Sequence, residues 1–170
     1  MKTVVVVGNP KTNSRTRDAG LRLAVLLGAH DPDVIELADL GSGLLGWGDP
    51  SVKAAVQHVA DADLAMFCSP TFKATYSGLM KLFLDQFGTG DGLLGVTAVP
   101  LMLGAGQAHA LAPDLLLKPV LVELGATTPA PGLYQIDATY ADDGTAQDYA
   151  QRWAPVIAAT VSVRAKKENL

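Results

Sequence analysis

The stretch Thr3–Val7 constrains the fold more than any other part of the chain. TVVVV is apolar or β-branched at every position, so it has no polar face to turn to water. It reads as a strand buried on both sides, the pattern of a central strand in a parallel sheet. Gly8 ends the run. From Ser14 the periodicity becomes helical, with Ala19, Leu23, Leu26 and Leu27 on one face and Arg15, Arg17, Asp18 and Arg22 largely turned elsewhere. The opening unit is strand, loop, helix.

The same alternation recurs. Residues 34–37 form a short second strand, 51–60 a helix opened by Asp49 and Pro50, and 64–68 a third strand. A helix over 76–87 and a fourth strand over 95–103 follow. A helix over 108–124 carries Pro113 and Pro119, and Pro119 should kink it by removing a backbone donor. A weaker fifth strand over 127–136 is interrupted by Pro129, Pro131 and Gly132, and the last helix covers 145–163. Residues 41–48, GSGLLGWG, read as a surface loop. Strands alternating with helices imply an α/β chain with right-handed crossovers. Five strands favour the flavodoxin-like, doubly wound parallel sheet in order 2-1-3-4-5, with helices on both faces, over the six-stranded dinucleotide-binding order.

The 170 residues suit one domain, assigned to residues 1–165, with a polar tail at 166–170. The chain is 49% hydrophobic and 18% charged, as expected of a buried sheet between helices. Net charge is -4 and the cations are scattered, which argues against a nucleic-acid partner. The opening apolar run is too short for a signal peptide or a membrane span, and the single cysteine, Cys68, has no partner for an internal disulfide. The expected location is the cytoplasm, away from membranes. His30, His58 and His109 stand far apart with no ligand-spaced neighbours, so no metal is expected.

In a doubly wound sheet, ligands sit beyond the carboxyl ends of the strands where the order reverses. Three loops meet there. In the first, GNPKTNSRT, Asn9, Thr12, Asn13, Ser14 and Thr16 offer side-chain donors, and Lys11 and Arg15 offer charge. The next helix aims its free N–H groups and positive dipole end at the same spot, which suits a phosphate monoester. Helix capping alone would explain only one such residue. Neither GxxxxGK[ST] nor GxGxxG is present, leaving a monophosphate as the natural occupant. In the second loop, SPTFKATYSG, Pro70 sets an extended path along which Thr71, Phe72 and Lys73 can offer backbone groups to a planar ring, although such a segment taken alone is simply a turn. In the third, LGAGQAHA, Gly104, Ala105, Gly106 and Gln107 allow close backbone approach, with a plain strand-to-helix turn as the competing reading. His109, alone in a first helical turn, is assigned a structural role.

Assembled, these stretches resemble the NAD(P)H-dependent FMN reductases, most closely the flavin reductases of two-component alkanesulfonate monooxygenase systems. GNPKTNSRT is similar to that family's Gly-Ser-Pro-Arg loop with a downstream Ser-Arg-Ser. SPTFKATYSGLMKLFLD matches a Thr-Pro-x-Tyr-Lys-Ala-x-Tyr-Ser-Gly-x-x-Lys-x-x-Leu-Asp pattern, and GQAHALAPDLLLKPVLVELGA shares His, Asp and Lys-Pro-Val-Leu spacing. The resemblance implies FMN as cofactor and NADPH or NADH as co-substrate. Asn9, Lys11, Ser14, Arg15 and Thr16 would hold the phosphate, Pro70 to Lys73 would line the isoalloxazine edge, and Gly104 to Gln107 would close the third side. No catalytic side chain is implied, because orientation and electrostatics carry hydride transfer. The chain departs from the pattern at Asn9 for Ser, Lys11 for a bidentate Arg, and Phe72 for Tyr. At Leu115 the alkanesulfonate branch often has an aromatic residue associated with a π-type bulge and subunit packing. Leu115 leaves open whether flavin is released or retained. The resemblance also implies a homodimer or homotetramer, with Leu79, Leu82, Phe83 and Phe87 shared between core and interface, and a flavin-dependent monooxygenase as partner. A flavodoxin-type electron carrier and an FMN-containing quinone or azo reductase remain the alternatives; the first lacks its short Thr-Gly-Thr loop here. A receiver-type signalling domain would need an acidic cluster where Gly8 and Asn9 stand.

Overall fold

A computed structural model describes the backbone of residues 1–167 and the side chains of residues 1–161. Five strands, β1 (Thr3–Val7), β2 (Asp33–Glu36), β3 (Leu64–Pro70), β4 (Thr97–Gly104) and β5 (Leu133–Ile136), form an all-parallel sheet in the order β2-β1-β3-β4-β5. Every residue of β1, β3 and β4 is buried, as unbroken apolar runs in a parallel sheet require.

The strands' alternation divides the core in two. Val4, Val6, Ala65, Phe67, Ala98 and Met102 face α2 (Pro50–Ala60), α3 (Gly78–Leu84) and α4 (Lys118–Glu123). Val5, Val7, Met66, Cys68, Val99 and Leu101 face α1 (Arg15–Leu26) and α5 (Thr145–Lys167). A β-carbon on Gly20 would come within 2.7 Å of Cys68 Sγ and of Val5 Cγ1, so this glycine sets how closely α1 lies on the sheet. Cys68 is fully enclosed there, and burial pushes its thiol pKa strongly up.

Several elements differ from the sequence expectation. The surface loop at 41–48 begins inside a 3-10 segment, Leu37–Leu45, broken at Gly41 with φ +52°, and that segment buries Leu37 and Leu44. The long helix at 108–124 is three pieces: a 3-10 turn at Gln107–His109, a π-turn at Pro113–Leu117, and α4. Pro119 follows the π-turn directly, at the second residue of α4, and the wide turn closes with Lys118 N–H on the Pro113 carbonyl. The fifth strand shrinks to Leu133–Ile136. Its prolines leave one parallel bridge, Thr97 to Thr127, upstream. The α3 strip is core: Phe83 and Phe87 are buried edge to face at 5.3 Å, and Leu79 and Leu82 pack half-buried beside them. The tail placed at 166–170 overlaps α5 up to Lys167, and residues 168–170 lie outside the described residues. Among the described residues, no helix is long and apolar enough to cross a membrane.

Candidate functional site

At the carboxyl edge of the sheet, the loops after β1, β3 and β4 enclose one open cleft of about 430 Å³, a volume in the range of cofactor sites. Asn9, Lys11, Asn13, Ser14, Arg15, Thr16, Pro70, Thr71, Phe72, Gly104 and Ala105 line it, together with Leu103 and Asp137. Lys73, Gly106 and Gln107 do not. Gln107 instead lines a neighbouring, largely apolar groove with Ala74, His109, Leu111 and Leu115. His109 is exposed on that groove and packs into no core.

The first loop is held by its own polar groups. Asn9 Oδ1 accepts the Lys11 N–H at 2.9 Å, and Asn9 Nδ2 donates to Thr16 Oγ1 at 3.0 Å. Asn13, in the left-handed region at φ +51°, donates its N–H to the Glu36 carboxylate at 3.0 Å, a conformation asparagine tolerates better than most residues. Arg17 reaches the same carboxylate at 3.4 Å. Ser14 caps α1, its Oγ accepting the Arg17 N–H. The N–H groups of Arg15 and Thr16, both cleft-lining residues, come too early in α1 to have an intrahelical acceptor, and the positive end of the helix dipole lies at this end of the cleft. Arg15 crosses the mouth: Nη1 donates to the Asp137 carbonyl at 3.0 Å, and Nη2 lies 3.2 Å from its carboxylate.

The second loop is fastened at its base. Ser77 caps α3 and donates its hydroxyl to the Gly8 carbonyl, while Ser69 Oγ accepts the Ser77 N–H at 2.9 Å. A β-carbon at Gly8 would sit 2.9 Å from Met80 Cβ, so β1 and α3 meet there without a side chain between them. The extended path stops at Phe72. Thr71 N–H donates to the Leu103 carbonyl, Phe72 and Thr75 exchange backbone bonds at 2.9 and 3.2 Å, and Lys73 and Ala74 turn the chain at φ +51° and +72°. Two non-glycine residues in the left-handed region are a local strain. It holds the 48% exposed Phe72 ring on the cleft wall. The N–H groups of Thr71 and Phe72, two of the backbone groups expected to face a planar ring, already have protein acceptors.

The third loop uses its glycines differently. A β-carbon at Gly104 would fall 1.9 Å from the Tyr134 hydroxyl, which donates to the Gly106 carbonyl at 2.7 Å. Gly104 therefore makes room for a tyrosine, whereas the space beside Gly106 is open. Thr71 Oγ1 is buried at this junction with no hydrogen-bond partner among the described residues. Such an unpaired group is costly unless a bound molecule satisfies it. Together with the N-terminal end of α1 and the cleft walls that carry Phe72 and Ala105, it fits a phosphorylated aromatic cofactor.

Sequence reasoning missed Asp137, Glu36 and Tyr134. Each lies at the end of or within a short strand next to residues of the opposite character, with no motif to mark it. Behind the cleft, Asp18 accepts from Arg22 at 2.6 Å and from the Tyr140 hydroxyl at 2.9 Å. Partial burial raises the Asp18 pKa, but these bonds outweigh it and the net shift is downward.

The sequence profile described as NADPH-dependent FMN reductase matches residues 1–141. The chain is 32% identical over 143 residues to the NADH-dependent FMN reductase SfnF of Pseudomonas putida, covering 79% of this chain and 76% of that protein. It is 36% identical to the FMN reductase (NADPH) of Escherichia coli K12 over 103 residues, 61% of this chain but only half of that protein's length. A solved NADH:FMN oxidoreductase, EMOB, in its apo form, superposes with a TM-score of 0.81 at 27% identity, over 95% of this chain and 89% of the other. On these matches, which cover the three cleft loops and the sheet that carries them, the chain belongs to the NADPH-dependent FMN reductase family, flavodoxin-like oxidoreductases of FMN and pyridine nucleotides.

Proposed function

We propose that this protein transfers hydride from NAD(P)H to FMN seated in the cleft, with residues 1–165 as the binding unit. The observation that carries the reading is the convergence of three loops on one cavity whose end is the N-terminus of α1. Asn13, Ser14, Arg15 and Thr16 hold the phosphate with Lys11, and Asn9 braces them. Pro70, Thr71 and Phe72 flank one side of the ring and Gly104 and Ala105 the other. Lys73 and Gly106 follow the lining residues Phe72 and Ala105 directly in sequence, and Gln107 lies one residue further on, in the neighbouring groove.

FMN, when bound, would supply the ring that accepts hydride, with NAD(P)H as the hydride donor and water as the source of the second proton. The chain's part is geometric. Pro70, Thr71, Phe72, Gly104 and Ala105 would position the ring for the nicotinamide, so that the reacting atoms meet without an acid or base. Either nucleotide serves as donor in this reading, as the names of both NADH- and NADPH-dependent relatives suggest. The protein acts in the cytoplasm and passes electrons onward as reduced flavin, with a flavin-dependent monooxygenase as recipient. It self-associates as a dimer or tetramer, supported by the exposed Leu111 and Leu115 around the π-turn. That turn forms with leucine at position 115, without an aromatic side chain.

The test is oxidation of NADH and NADPH by purified protein with and without FMN, alongside FMN fluorescence quenching. Oxidation that requires FMN supports the reading. FMN binding without nucleotide oxidation would favour an electron carrier, and absence of binding would end it.

A further inference from the structure

We infer that Asp137 is an internal competitor for Arg15 and thereby sets how weakly the cleft holds a phosphorylated flavin. The inference rests on the FMN-reductase reading and deepens it. Lys11 and Arg15 are the cations lining the cleft among the described residues, and Asp137 is the carboxylate that lines it with them. Two cations opposite one carboxylate leave a single net positive charge to meet a phosphate dianion. Arg15 directs two of its nitrogens at Asp137, Nη1 to the main-chain oxygen and Nη2 to the carboxylate, at 3.0 and 3.2 Å. A bidentate clasp on phosphate needs that same planar fork.

The carboxylate and a phosphate cannot share the guanidinium without bringing like charges together, which disfavours both. The existing pair is easily broken: the Arg15 side chain is 61% exposed and that of Asp137 34%, and ion pairs so open to water are weak. Phosphate therefore displaces the carboxylate at a modest cost, and the carboxylate stands ready to recover Arg15 when flavin leaves. The fold holds Asp137 in place independently of this pair, since its N–H donates to the Gly104 carbonyl at 2.9 Å. Asp137→Asn keeps that backbone bond and removes only the competing charge.

The experiment measures FMN and riboflavin affinity and FMN release rate for the wild type, Asp137→Asn, Arg15→Ala and the double variant. Competition predicts that Asp137→Asn binds FMN about threefold to tenfold more tightly, mainly through slower release, with riboflavin affinity unchanged. The gain should shrink in the Arg15→Ala background, where only direct repulsion remains. Unchanged or weaker FMN binding by Asp137→Asn overturns the inference, because Asp137 would then be a neutral bystander or a strut that positions Arg15. Equal tightening of riboflavin, or an undiminished gain without Arg15, also overturns it. A wild type that does not bind FMN would refute the underlying reading itself.

Discussion

The two ends of the cleft are built in opposite ways. At the α1 end, the polar side chains are tied to the protein: Asn9 to Lys11 and Thr16, Ser14 to Arg17, and Arg15 to Asp137. At the other end, the Phe72 ring is half in solvent, Thr71 Oγ1 has no partner among the described residues, and the chain turns through two left-handed residues. The backbone of the first end is therefore held in shape before an anion arrives, and Arg15 is the group that must change partner to meet it. The second end is completed by whatever binds there. Phosphate should thus supply affinity and register, while the ring end accommodates a nicotinamide and lets it leave.

The largest effect should come from disturbing the support of the ring end. Gly104→Val places a side chain where the Tyr134 hydroxyl now lies. Overpacking of this kind costs about 1–3 kcal/mol, read as a lower unfolding midpoint in urea. Adding Tyr134→Phe should recover part of that loss, since the nearest clashing atom is the hydroxyl. Ser77→Ala comes next. It removes the α3 cap and the bond to the Gly8 carbonyl, at about 1–2 kcal/mol of stability. An unchanged midpoint would show that the base of the second loop is held elsewhere.

At the phosphate end, Arg15→Ala should weaken FMN about tenfold, some 1.4 kcal/mol, with little change for riboflavin. The smallest effect concerns Asp18. Because its folded-state pKa is depressed, its ionised form stabilises the protein above the unfolded value of about 3.9, and that stabilisation is lost as pH falls through the folded pKa. Asp18→Asn should therefore lower the melting temperature slightly at neutral pH and less at pH below about 4. A deficit that persisted in acid would assign the effect to packing.

What the sequence made legible followed from how many constraints each residue satisfied at once. β1, β3 and β4 are unbroken apolar runs, and their burial on both faces leaves no other reading. The strand order followed from their alternation with helices. The boundaries of β5 were lost because Pro129 and Pro131 interrupt a pattern that pairs only at Leu133–Ile136. The π-turn was hidden because its wide hydrogen bond leaves the helical spacing of leucines nearly intact. In the cleft, the loops after β1, β3 and β4 carried visible signals: clustered donors, a proline and paired glycines. Asp137 reaches the cleft, and Tyr134 the glycine loop beside it, through the pairing of β4 with β5, a tertiary fact with no local signature. Gly104 lines the cleft and has a further reason for lacking a side chain that no local pattern shows, since the Tyr134 hydroxyl takes that space.

The proposed FMN site stands on one contact, that of the N-terminus of α1 with the phosphate of the flavin. The most direct test is the ratio of riboflavin to FMN dissociation constants for the wild-type protein at low and moderate salt. A phosphate held at this end makes FMN bind at least about tenfold more tightly, with an advantage that narrows as salt screens the contact. Equal affinity for the two flavins at all salt concentrations would contradict it.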